Sequence, residues 1–116
     1  MHPRRLIRLN ELILQTVSQV VLQLKDPGLG FVTITGAELS PDVSTAKIFF
    51  SVLGSDKDKE STAAALERAK PHIRSAVGKL ENIRRVPQLI FLYDHSVERA
   101  DRVNKILNSI NNENKP

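Results

Sequence analysis

Apolar residues recur every three or four positions between Pro3 and Lys25, where Leu6, Leu9, Ile13, Val17, Val20 and Leu24 form one stripe along a helix. Pro3 stands where a proline can open a helix, and Pro27 where one forbids continuation. Beyond Asp26-Pro27-Gly28 and Gly30 the period drops to two. Val32, Ile34 and Leu39 are expected on one face of a strand, Thr33 and Thr35 on the other, and β-branched residues dominate. Ser40-Pro41-Asp42 reads as a turn, because proline presets the backbone and the flanking Ser and Asp can bond to it. In the second strand Ala46, Ile48, Phe50 and Val52 alternate with Lys47, Phe49 and Ser51, and the two strands are expected to pair antiparallel. Gly54-Ser55-Asp56 ends that strand, and an acidic connection through Glu60 is expected to be mobile.

Helical spacing returns from about Ser61 with Leu66, Ala69, Ile73, Ala76 or Val77, Leu80 and Ile83. Pro71 falls inside this run. A proline removes a backbone donor and pushes the residue before it from helical angles, so two helices are expected, meeting at a kink formed by Ala69, Lys70 and Pro71. After Val86-Pro87 comes a third strand, Leu89 to Tyr93, apolar enough to be central in the sheet. A last helix, about Val97 to Ile110, leaves a polar tail from Asn111 to Pro116. The order α-β-β-α-kink-α-β-α predicts an α+β domain, with helices over one face of a three-stranded sheet. Residues 1–110 form the domain and 111–116 the tail.

The chain has 116 residues, which suits one folding unit. It contains no cysteine, so disulfides, thiolate metal sites and a thiol nucleophile are excluded. No apolar run reaches the roughly 18 residues of a membrane span, and Arg4, Arg5 and Arg8 interrupt the N-terminal stretch that a signal peptide would need. An arginine-rich start also suits a transit peptide, but these residues belong to the periodic helix. His2, His72 and His95 lack metal-ligand spacing, and Gly28-Leu29-Gly30 is too short to cradle a phosphate. No catalytic residue, cofactor or metal is expected, and binding is the default.

Charge sharpens that default. The net charge is only +4, yet residues 68 to 85 carry six basic groups against Glu81 alone, and residues 1 to 8 carry three arginines and no acid. A localised excess of this kind suits a polyanion.

The order of elements resembles a KH domain of type II topology, whose usual ligand is single-stranded RNA. The local sequence narrows this further. Leu24 to Thr35 (LKDPGLGFVTIT), Leu39-Ser40-Pro41-Asp42, Ala46-Lys47-Ile48, Ser51-Val52-Leu53-Gly54, Ile73-Arg74, Val86-Pro87-Gln88-Leu89 and Ser96-Val97-Glu98-Arg99 together resemble the bacterial ribosome-binding factor A family, from about Arg4 to Leu107. The resemblance implies a cytoplasmic, non-enzymatic assembly factor. Such a factor binds the small ribosomal subunit during late maturation and rRNA processing, matters most in the cold, and is released by a ribosome-associated GTPase. It also implies an Ala-x-Gly kink between two helices, for which Ala69, Lys70 and Pro71 are the matching residues. Proline in place of glycine forbids a positive backbone angle and any contact through an N–H at position 71.

At roughly 100° per residue Arg74, Arg84 and Arg85 would lie within about 60° of Lys70, with Glu81 among them and Lys79 opposite. The expected RNA-binding set is Arg4, Arg5, Arg8, Lys70, Arg74, Lys79, Arg84 and Arg85, on the surface of a monomer with no membrane contact. Phe31, Phe49, Phe50, Phe91 and Tyr93 mostly fit the sheet core, which leaves phosphates and rRNA shape, rather than base stacking, to carry recognition. The rival reading is a protein-interaction module, with the first helix or a sheet edge docking a partner and the cations only solubilising.

Overall fold

A computed structural model describes residues 3–81 and 83–113, with side chains described for all of these except 97–102 and 111–113. Helix α1 spans Pro3–Gln23 and buries Leu9, Ile13, Val17 and Val21 at four-residue spacing. Val21 takes the centre of the stripe, while Leu6, Val20 and Leu24 pack at its margins. The stripe is core, as its period predicts.

Strands β1 (Phe31–Leu39), β2 (Thr45–Leu53) and β3 (Gln88–Tyr93) form one sheet in the order β1-β2-β3. The first pair is antiparallel, as expected, and β2 pairs β3 in parallel. The central strand is therefore β2, not β3. In β3 Leu89 is buried while Ile90 and Leu92 are exposed. An apolar run was not, in this case, a strand buried on both faces.

Register explains a second detail. Ile34 pairs with Phe50 and Gly36 with Phe49, so Thr35 is the extra residue of a β-bulge. The bulge shifts the alternation by one, which lets both Ile34 and Leu39, five positions apart, reach the core. Strict alternation along the sequence would have placed them on opposite faces.

Helix α2 runs unbroken from Asp56 to Gly78, with Pro71 inside it. The expected pair of helices is one helix, and the stretch from Asp56 to Glu60 is its first turn rather than a mobile connection. The start is fixed by a capping box: the Ser55 hydroxyl accepts the Asp58 N–H, and an Asp58 carboxylate oxygen accepts the Ser55 N–H at 2.8 Å. Asp56 and Asp58 also face the positive end of the helix dipole. Pro71 is tolerated because it sits on the exposed side, where water can take the Glu67 carbonyl that loses its intrahelical donor. Thr62, Ala65, Leu66, Ile73 and Val77 line the buried side.

Helix α3 spans Ser96–Glu113. It takes in the first residues assigned to the polar tail, and residues 114–116 lie outside the described residues, as does His2. α1 packs on β1 and α2, while α2 packs on β2 and β3, so the two helices cover one face of the sheet. Among the described residues no helix is long and apolar enough to cross a membrane.

Candidate nucleic-acid interface

Three sets of contacts decide which residues meet at one end of the sheet. Asn10 of α1 accepts the Leu39 N–H through its side-chain oxygen at 2.8 Å, which pins the first half of α1 to the end of β1. Leu39 pairs with Ala46, Ala46 with Leu89, and the Gln88 N–H reaches the Ser44 carbonyl at 2.9 Å. The entry to β3 thus lies beside the β1–β2 turn. The last turns of α2 arrive there too, because Arg74 donates to the Val86 and Pro87 carbonyls, each at 3.2 Å.

Arg4, Arg5 and Arg8 occupy the first two turns of α1, beyond Asn10, and are exposed. Lys79, Arg84 and Arg85 lie in the segment between α2 and β3 and are exposed as well. Topology brings these six cations to the end of the domain that carries the β1–β2 turn. The opposite end carries Asp26, Asp56, Asp58, Glu60 and Asp94 with Lys25, Lys57, Lys59 and Arg68, a mixed field. Glu38, Asp42 and Glu81 lie at the turn end too, so what remains there is an excess of positive charge rather than a single sign, and such an excess is the electrostatic footprint that a phosphate backbone fits.

The helical-wheel placement of the cations needs correction. α2 ends at Gly78, so its period does not extend to Arg84 or Arg85, and Lys79 is the C-cap residue rather than the opposite face of a helix. Gly78 lets the segment before β3 pack closely on the last turn of α2, since a Cβ there would stand 3.0 Å from the Val86 side chain. Arg74 is half-buried, its guanidinium held by two carbonyls. Lys70 is also half-buried, 2.7 Å from Glu67 and 5.7 Å from the centre of the Phe91 ring. Ala69 packs against the core, and Pro71 is exposed on the continuous helix. The charge near the interface therefore comes mainly from the loop and α1, while Lys70 and Arg74 are committed to the fold around them.

Side-chain bonds stiffen the turn at this end. One Asp42 oxygen accepts the Ser40 hydroxyl at 2.7 Å, the Ser44 hydroxyl at 2.8 Å and the Ser44 N–H at 3.2 Å. These bonds, that of Ser40 first, hold the Asp42 carboxyl down at about 2. Within the turn Val43 has φ 63°, an uncommon angle for a β-branched residue.

At the far end Arg68 forks onto Asp26, with Nε and Nη2 each 3.0 Å from a carboxylate oxygen. The bond from Arg68 and that from the Gly28 N–H lower the Asp26 carboxyl below its ordinary range. Arg68 belongs to the basic segment in sequence but is paired in space. Nothing in its spacing could show that, because Asp26 is 42 residues away. The aromatic residues also divide: Phe50 is buried, Phe49, Phe91 and Tyr93 are half-buried, and Phe31 is exposed rather than core. Phe31 pairs with Leu53, at the end away from the six cations.

The chain as a whole is similar to known proteins. The family model described as ribosome-binding factor A matches residues 5–107. A ribosome-binding factor A from Geotalea daltonii is 41% identical over 108 residues, covering 92% of this chain and 88% of its own. The solution structure of a Thermotoga maritima protein described as a ribosome-binding factor A superposes with a TM-score of 0.72 at 32% identity, covering 84% of this chain and 95% of that one. A homology model of ribosome-binding factor A from Thermus thermophilus, as fitted into a cryo-EM map of a complex with 30S, gives a TM-score of 0.63 at 25% identity, covering 76% of this chain and 93% of that one. With the family model matching residues 5–107 and a relative 41% identical over most of both chains, this protein belongs to the ribosome-binding factor A family.

Proposed function

We propose that this chain binds the small ribosomal subunit by setting its basic end against rRNA phosphates. Arg4, Arg5, Arg8, Lys79, Arg84 and Arg85 make the contact, while Lys70 and Arg74 flank it and hold the segment that presents Arg84 and Arg85. The single observation that carries this reading is the gathering of six exposed cations at one end, from segments some 70 residues apart in sequence. Family membership supports it, since the Thermus thermophilus relative is described in complex with 30S. In this reading the protein acts as a monomeric cytoplasmic assembly factor, not an enzyme. It serves late subunit maturation and rRNA processing, its absence is felt most in the cold, and a ribosome-associated GTPase releases it before translation.

Six cations, each neutralising one phosphate, would give a slope of log K against log salt of about −4 to −5. The test is binding to purified small subunits over a salt series, with Arg84→Glu/Arg85→Glu compared against the unaltered protein. Loss of affinity together with a slope shallower by about 1.5 supports the reading. Salt-independent binding, or an unchanged slope in the double variant, refutes it and favours a protein-docking surface.

A further inference from the structure

Two apolar surfaces of the described structure have no cover, and a two-residue link joins them. The sheet face turned away from α1 and α2 presents Phe49, Leu53, Ile90 and Leu92, with Leu92 beside Phe49 in the register. Helix α3 presents Val103, Ile106, Leu107 and Ile110, at 46 to 59% exposure, with the three- and four-residue spacing of a single stripe. A polar-all-round helix would need no partner, but this one repeats the pattern of a helix built to lie on something. Asp94 and His95 alone separate β3 from α3.

The lengths agree. Folded back antiparallel to β3, an α-helix advances about 1.5 Å per residue and a strand about 3.3 Å. Val103, about 10 Å along α3 from Ser96, then comes level with Leu92, about 10 Å back from His95. Ile106 and Leu107 reach the level of Ile90 at about 16 Å, and Ile110 that of Gln88. Gly36 helps, because it carries no side chain where it faces Phe49, leaving the middle of the sheet shallow. The chain also has room to compact: its Cα radius of gyration is 17.3 Å, against about 13 Å for a compact domain of this length.

We propose that α3 is a strap that closes over the uncovered sheet face of its own chain, seating Val103, Ile106, Leu107 and Ile110 on Leu92, Ile90 and Phe49. The closed form completes a three-layer domain, with helices on both faces of the sheet. The open form frees the helix stripe and the sheet face together. The inference does not depend on the ribosomal reading, since closure is intramolecular and involves none of the six interface cations.

Because the chain has no cysteine, engineered pairs test closure without background thiols. Leu92→Cys with Val103→Cys should form a disulfide within the monomer under mild oxidation. Leu92→Cys with Lys105→Cys, turned about 200° around the helix, should react at least about tenfold more slowly. Small-angle scattering of the unaltered full chain should in parallel give a radius below 17.3 Å, towards about 13 Å. Circular dichroism of each variant establishes that the fold is retained. Equal rates for the two pairs, disulfides only between molecules, or no disulfide at all would overturn the proposal.

Discussion

Arg74 offers the sharpest separation between a cation that holds the fold and one that holds a ligand. Its guanidinium donates to the Val86 and Pro87 carbonyls at 3.2 Å, and the side chain is half-buried against the segment leading into β3. A hydrogen bond from a charged donor contributes about 1.5 to 3 kcal/mol, and at this length and partial exposure the two bonds together fall near the lower end of that range. Replacing Arg74 with Ala removes both bonds and some packing of the aliphatic stem, so a loss of about 2 kcal/mol is expected. For a chain of this size that lowers the melting temperature by roughly 6 to 10 °C. The assay is paired: thermal unfolding by circular dichroism, and the salt slope of binding to small subunits. Arg74→Ala should melt early but bind, when folded, with nearly the unaltered slope; Arg84→Ala/Arg85→Ala should melt normally with a slope shallower by about 1.5. If Arg74→Ala keeps its melting temperature and loses slope instead, the assignment of Arg74 to the fold is wrong.

Three further outcomes follow from the same geometry. Pro71→Ala should restore a donor to the Glu67 carbonyl within an uninterrupted helix and raise stability by about 1 to 3 kcal/mol in urea unfolding; no gain would mean that the helix is broken there after all. Gly54 has φ 150°, and a Cβ would collide with the Asp58 carboxylate of the capping box, so Gly54→Ala should cost about 1 to 3 kcal/mol; a neutral result in the same assay would refute the strain argument. The carboxyls of Asp42 and Asp94 are held at about 2, Asp42 chiefly by the Ser40 hydroxyl and Asp94 chiefly by Ser96 and Thr35. Both folded values lie below the unfolded one of 3.8, so their stabilisation is complete above about pH 4 and is lost as pH falls towards 2. Asp42→Asn/Asp94→Asn should flatten the stability profile over that acid range, and an unchanged profile would show that other carboxylates govern it.

Much of this molecule was legible in its residues because the relevant physics is local. The stripe on α1, the alternation in β2 and the turn at Ser40-Pro41-Asp42 each depend on spacings of a few residues, and the basic segments are visible as composition. Ser55-x-x-Asp58 was a local signal too, and it marks the start of α2 more reliably than the acidic character of that stretch. Pro71 misled because a proline's local cost was weighed without the packing of Ala65, Leu66, Ile73 and Val77 on either side, which keeps one helix intact across it. The bulge at Thr35 and the central place of β2 depend on pairing partners that no single strand specifies. The fates of the cations were likewise decided in three dimensions. Arg68 found Asp26 and Arg74 found two carbonyls, whereas Arg84 and Arg85 were left at the surface. Periodicity along a chain records which way a side chain leans from its own element; only the closing of distant elements on one another determines what it meets there.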